Sequence, residues 1–82
     1  MTTRTPVVGG TWTLIATAPT RVLLQAQGGD IEVYLGDNPS SNESGFHVTS
    51  GDWADFIKID DFLVNLYARA NGSTAEVYHV ET

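Results

Sequence analysis

The sequence predicts an all-β domain, a small antiparallel β-sandwich or barrel of about seven short strands, and three observations carry that expectation. Residues 22 to 34, V-L-L-Q-A-Q-G-G-D-I-E-V-Y, and residues 64 to 78, V-N-L-Y-A-R-A-N-G-S-T-A-E-V-Y, repeat one pattern: apolar alternation, a turn dipeptide, then alternation again. Short β runs bounded by turn residues recur at about ten-residue spacing. No segment shows sustained helical periodicity with a cap in front and glycine behind.

In chain order, residues 1 to 10 are rich in Thr, Pro and Gly and read as a flexible arm ahead of a single domain at 11 to 82. Residues 11 to 17 form a strand that alternates Trp12, Leu14 and Ala16 against Thr and Ile, and Ala18-Pro19-Thr20 ends it. The first repeat reads as a β-hairpin about Gly28-Gly29, because positive φ is cheap for Gly. Counting outward pairs Ala26 with Ile31, Leu24 with Val33 and Val22 with Leu35. Residues 36 to 45, G-D-N-P-S-S-N-E-S-G, form a polar loop expected to project from the fold. Residues 46 to 49 make a short strand, Ser50-Gly51-Asp52 a turn, and residues 53 to 59 another strand with irregular alternation at Phe56 and Ile57. Asp60-Asp61 turns the chain into the second repeat, residues 62 to 81. A hairpin about Asn71-Gly72 there pairs Ala68 with Ala75, Leu66 with Val77 and Val64 with His79.

Composition bounds the function. Eighty-two residues make one domain near the size at which a single core is marginal, so oligomerisation or a host assembly is expected to supply further burial. The chain has no cysteine, which favours a reducing assembly compartment. Four Lys plus Arg against ten Asp plus Glu give a net charge of −6, which opposes phosphate backbones and anionic lipid surfaces. Neither a nucleic-acid nor a membrane ligand is expected. The first residues lack the apolar run of a signal peptide, and no stretch approaches the roughly 20 apolar residues that span a bilayer.

No residue cluster carries recognisable catalytic chemistry, and the expectation is a protein that is not an enzyme and needs no cofactor or metal. His47 and His79 are the two imidazoles, so a zinc site would need both plus a carboxylate such as Asp52 or Glu81. His79 falls in the core-facing register, where a structural role is the simpler reading. Asp52, Asp55, Asp60 and Asp61 lack the spacing of a calcium loop and read as a solvated acidic edge. Ser40, Ser41 and Ser44 lie outside any nucleophile-elbow pattern. Asn42-Glu43-Ser44 and Asn71-Gly72-Ser73 match the glycosylation sequon but read first as turns.

The run Tyr34-Leu35-Gly36-Asp37 through Pro39 and Ser40 to Gly45-Phe46-His47-Val48-Thr49-Ser50-Gly51-Asp52 resembles small all-β accessory virion proteins of tailed bacteriophages. So does the ending L-V-N-L-Y-A-R-A-N-G-S-T-A-E-V-Y-H-V. The resemblance covers roughly residues 11 to 81. It implies a structural protein made in the host cytoplasm and carried on the virion, which decorates or cements the capsid, forms a short head fibre or caps another virion part. The major capsid protein or another virion component would be its partner.

The hairpin register also leaves an outer face that is too apolar for a solvated surface: Leu23 opposite Tyr34, Asn65 opposite Tyr78, Leu63 opposite Val80, and Tyr67 opposite Glu76. The expectation is a homo-oligomer, a trimer favoured, with Leu23, Tyr34, Leu63, Tyr67, Tyr78 and Val80 at the interface. A carbohydrate-binding module stacking Trp12, Trp53, Tyr34, Tyr67 or Tyr78 on sugars is the main alternative. An acidic inhibitor is the second.

Overall fold

A computed structural model describes residues 2–17, 22–56 and 64–81, which form eight strands and no helix. The strands are β1 (Thr3–Val8), β2 (Thr13–Ala16), β3 (Val22–Gln27), β4 (Ile31–Gly36), β5 (Phe46–Val48), β6 (Trp53–Phe56), β7 (Asn65–Ala70) and β8 (Thr74–Glu81). They build two antiparallel four-stranded sheets, ordered β1-β8-β3-β6 and β2-β7-β4-β5. The all-β sandwich expected from the sequence is therefore present, and the strand order is that of an eight-stranded jelly roll.

Neither repeat is a hairpin. β3 lies in the first sheet and β4 in the second, so Gly28-Gly29-Asp30 crosses the sandwich; Asn71-Gly72-Ser73 carries β7 in the second sheet over to β8 in the first. The true partners come from the other repeat. Ala26 pairs with Val77 and Leu24 with His79, while Ile31 pairs with Ala70, Val33 with Ala68 and Leu35 with Leu66. The expected pairs Ala26–Ile31, Leu24–Val33, Val22–Leu35, Ala68–Ala75, Leu66–Val77 and Val64–His79 are thus replaced. The backbone gives the reason. A two-residue type I′ turn needs positive φ at both central residues. Asn71 and Gly72 are absent from the positive-φ residues, and at the first connection Gly28 is at φ 73° but Gly29, at 154°, lies far beyond the roughly 90° that a type I′ turn needs there.

The inward and outward assignments survive this correction, because alternation places a side chain on a face without saying which strand lies beside it. Val22, Leu24, Ala26, Ile31, Val33, Leu66, Ala68, Ala75 and Val77 are all buried between the sheets, with Val7, Ile15, Ala16, Val48 and Ala70 completing the core. His79 also points inward and is buried, its Nε2 sharing a hydrogen bond with Thr5 Oγ1 at 3.2 Å.

Three further expectations change. Residues 1 to 10 are not a loose arm throughout, since β1 pairs with β8 from Thr3–His79 to Val8–Thr74 and buries Val7. A register shift between Leu14 and Ala16 breaks the β2 alternation, so Ile15 and Ala16 are both buried while Leu14 is exposed. β6 pairs regularly with β3 as far as Phe56; Ile57 and the Asp60-Asp61 turn lie outside the described residues.

The sheet orders are related by an approximate internal two-fold. Replacing β1, β2, β3 and β4 by β5, β6, β7 and β8, and the reverse, turns the first sheet's order into the second's. Gln27 then corresponds to Arg69, Glu32 to Glu76, Tyr34 to Tyr78 and Leu14 to Trp53.

Candidate docking face

The two outer faces differ in what covers them. On the second sheet, Arg69 of β7 stands opposite Glu32 of β4, and its Nε donates to Glu32 Oε1 at 2.9 Å. Its guanidinium lies 4.2 Å from the ring centroid of Trp12, Nη1 donates to the Ser41 carbonyl at 2.8 Å, and Nη2 donates to the Glu43 carbonyl at 2.9 Å. One side chain thus ties two strands and the β4–β5 loop together. Trp12 Nε1 donates to the Ser40 carbonyl, and Glu32 Oε2 accepts from the Gly45 amide at 2.7 Å. Gly45 sits so tightly that a Cβ there would lie 1.9 Å from the Val33 carbonyl oxygen. The loop expected to project is instead fastened along the sheet.

Electrostatics follow that geometry. The Gly45 amide, with the Arg69 guanidinium behind it, holds the Glu32 carboxyl below its ordinary range despite some burial. At the end of the same sheet, Asp30 accepts from the Ser50 amide at 2.8 Å and lies 3.1 Å from His47 Nε2, and these two contacts hold its carboxyl low.

The tyrosines of this face are partly engaged by their own chain. Tyr34 and Tyr67 are register partners. Tyr34 packs 5.7 Å from Trp12 between centroids, and its ring lies against Gly36, where a Cβ would come within 2.7 Å. The Tyr67 hydroxyl accepts from the Asn38 amide at 3.3 Å, and Asn65 Nδ2 donates to Asp37 Oδ1 at 3.1 Å.

On the first sheet the register aligns Arg4, Tyr78, Gln25 and Trp53 in one row across β1, β8, β3 and β6. Val80 and Leu23 are neighbours in the adjoining row, and Glu76 in the opposite one. Trp53 is 53% exposed, while Leu23, Tyr78 and Val80 are half-buried. Arg4 pairs with Glu76 at 3.2 Å; Gln25 Nε2 donates to the Gly51 carbonyl at 2.8 Å, and Gln27 Nε2 donates to Gln25 Oε1. Among the described residues no loop crosses this row.

The six residues expected at one interface therefore divide. Leu23, Tyr78 and Val80 share the first sheet's outer face, Tyr34 and Tyr67 lie on the opposite side of the sandwich, and Leu63 is outside the described residues. The pairs Leu23–Tyr34, Asn65–Tyr78 and Tyr67–Glu76 are corrected to Leu23–Val80, Gln25–Tyr78 and Tyr34–Tyr67. Sequence reasoning did not find the Arg69–Glu32–Trp12 cluster. Its signal was the glutamate that each repeat places at the same position, one of which faces an arginine. His47 and His79 do not meet, as one points outward on β5 and the other into the core. Among the described residues, no three His, Asp or Glu side chains converge on a metal position.

No protein-family model and no curated protein matches this chain. A de novo designed double-stranded β-helix, solved by solution NMR, matches it over 100% of this chain and 99% of that one. The TM-score is 0.72 at 19% sequence identity, so the likeness is one of fold.

Proposed function

We propose that this chain is a non-enzymatic docking module, an accessory structural protein of a phage virion that attaches to the capsid or another virion surface through the outer face of its first sheet. The observation that carries this reading is the row containing Trp53 and Tyr78, with Leu23 and Val80 beside it, which no loop among the described residues crosses. A half-exposed tryptophan on the edge strand β6, at the end of this row, is costly to leave in water. Aromatic side chains bury roughly 150–250 Å² each and dominate interface energetics. The virion assignment rests on the resemblance of residues 11 to 81 to small phage accessory proteins. The physical logic agrees with it: a shell offers many identical sites, and a cofactor-free module strengthens an assembly by burying area across subunits and by multivalent attachment.

The module is proposed to act as a homo-oligomer, a trimer favoured. Light scattering coupled to size exclusion should then give a multiple of the 8.9 kDa chain mass. Tyr78→Glu combined with Trp53→Ala should yield monomers with an unchanged β circular dichroism spectrum. A wild-type monomer would remove the self-association, and failure of that monomer to sediment with shells carrying its own major capsid protein would remove the virion role.

The pairing of Trp53 and Tyr78 on either side of Gln25 also favours one second reading, a sugar-binding platform. Binding on a glycan array that is lost in Trp53→Ala would replace the docking role.

A further inference from the structure

Each of the four asparagines has a different structural setting. Spontaneous loss of the side-chain amide requires the backbone nitrogen of the following residue to reach Asn Cγ as a nucleophile. Asn38 is followed by Pro39, whose nitrogen carries no proton to lose. Asn42 is followed by Glu43, whose amide is held by the Ser40 carbonyl at 3.0 Å. Asn65 opens β7 and is followed by Leu66, fully buried in the ladder opposite Leu35. Asn71 alone precedes a glycine. Both residues are exposed in the connection between β7 and β8, and a Cβ at Gly72 would meet nothing within 4 Å.

The surroundings hold the two ends of this connection; at its middle the Gly72 carbonyl lies against Gly9, where a Cβ would come within 2.1 Å of its oxygen, while the space beside Gly72 Cα is open. The Asn71 amide donates to the Asp30 carbonyl at 2.9 Å, and the Ser73 carbonyl accepts from the Gly9 amide at 2.9 Å. Gly72 lies between these anchors, lining an open depression with Glu32, Arg69 and Ser73.

We propose that Asn71 is a site of spontaneous deamidation in the folded protein. The Gly72 backbone nitrogen loses its proton and attacks Asn71 Cγ, forming the N–Cγ bond of a five-membered succinimide as the Cγ–Nδ2 bond breaks and ammonia leaves. Water then adds to either imide carbonyl and opens the ring, giving an aspartyl or an isoaspartyl residue at position 71. Both products take the net charge from −6 to −7. The isoaspartyl form also lengthens the main chain by one carbon within a connection anchored on both sides, so it strains the crossing of one repeat and leaves Gly28-Gly29 in the other untouched.

Trypsin separates the four asparagines conveniently. Cleavage after Arg21, Lys58 and Arg69 yields peptides 22–58 with Asn38 and Asn42, 59–69 with Asn65, and 70–82 with Asn71. The folded protein, aged at mildly alkaline pH and then digested, should show the mass gain of amide-to-acid conversion first in peptide 70–82, split into two chromatographic species. Gly72→Ala, which the open space at that position admits without a positive φ, should suppress the conversion while the fold persists. If peptide 70–82 keeps its amide in the folded protein over a period in which the urea-unfolded chain converts, the crossing protects Asn71 and the proposal fails.

Discussion

Arg69 in the second sheet and Gln27 in the first hold equivalent positions of the repeat, and each stands opposite a glutamate, Glu32 or Glu76. Arg69 spends its donors on Glu32 and on two carbonyls of the β4–β5 loop, and covers Trp12. Among the described residues the Gln27 amide reaches its neighbour Gln25, and Glu76 pairs with the more exposed Arg4. Arg69 thus fastens the β4–β5 loop over its face, whereas among the described residues Gln27 has no loop to hold. A guanidinium supplies a planar fork that can hold a carboxylate and loop carbonyls together, which a single amide cannot do.

The largest test of this contrast is Arg69→Ala. It leaves Glu32 partly buried without its guanidinium and frees the loop, so a loss of about 3 kcal/mol is expected, equivalent to a melting temperature lower by roughly 12–24 °C. Gln27→Ala at the equivalent site should cost about 1 kcal/mol or less. Equal losses in thermal denaturation would mean that the roof contributes nothing special.

Next in size is Gly45→Ala. Its Cβ would collide with the Val33 carbonyl, and relieving that overlap by shifting the loop should cost about 2 kcal/mol. Gly51, near the open face, has φ 90° but empty space around it, so Gly51→Ala should cost only about 1 kcal/mol of backbone strain. Urea midpoints of the two variants rank them directly. A Gly45→Ala protein as stable as wild type would show that the loop can lift without loss.

Why the sequence revealed the layers but not the connections follows from these same residues. Alternation in V-L-L-Q-A-Q and I-E-V-Y marks one apolar side per strand. A hairpin and a crossing both satisfy that pattern, the hairpin by putting the two apolar sides on one sheet face, the crossing by setting them face to face. The backbone of the connection distinguishes them, at Gly28-Gly29 here and at Asn71-Gly72 in the second repeat, and φ is not written in residue type. The arm was misread for a related reason: Thr3 to Val8 alternates weakly, and its burial of Val7 depends on β8, over 60 residues away in sequence. The candidate face was half legible. Leu23, Tyr78 and Val80 were placed outward correctly, whereas Tyr34 and Tyr67 were joined to them through hairpins that do not exist.

The two tryptophans report on the two faces separately, one under the loop and one in the open row. With Trp53→Phe, the remaining Trp12 emission should resist acrylamide at every protein concentration. With Trp12→Phe, Trp53 should be readily quenched in dilute solution and become protected as concentration rises and the proposed docking face is covered. Quenching of Trp53 that ignores concentration would argue that this face stays wet.

The smallest expected effect is a pH dependence confined to the roofed face. Glu32 has its folded-state carboxyl held below its ordinary value of 4.5, chiefly by the Gly45 amide and then by Arg69. The unfolded chain therefore takes up that proton first as pH falls. The stabilisation is complete above the unfolded value and is lost as pH drops from about 4.5 through the lower folded value. Asp30 acts in the same direction through the Ser50 amide and His47. Glu32→Gln should accordingly lower the melting temperature at neutral pH and flatten its fall on acidification. An acid profile of Glu32→Gln parallel to that of wild type would detach the pH response from the Gly45–Glu32–Arg69 contact and place it elsewhere among the carboxylates.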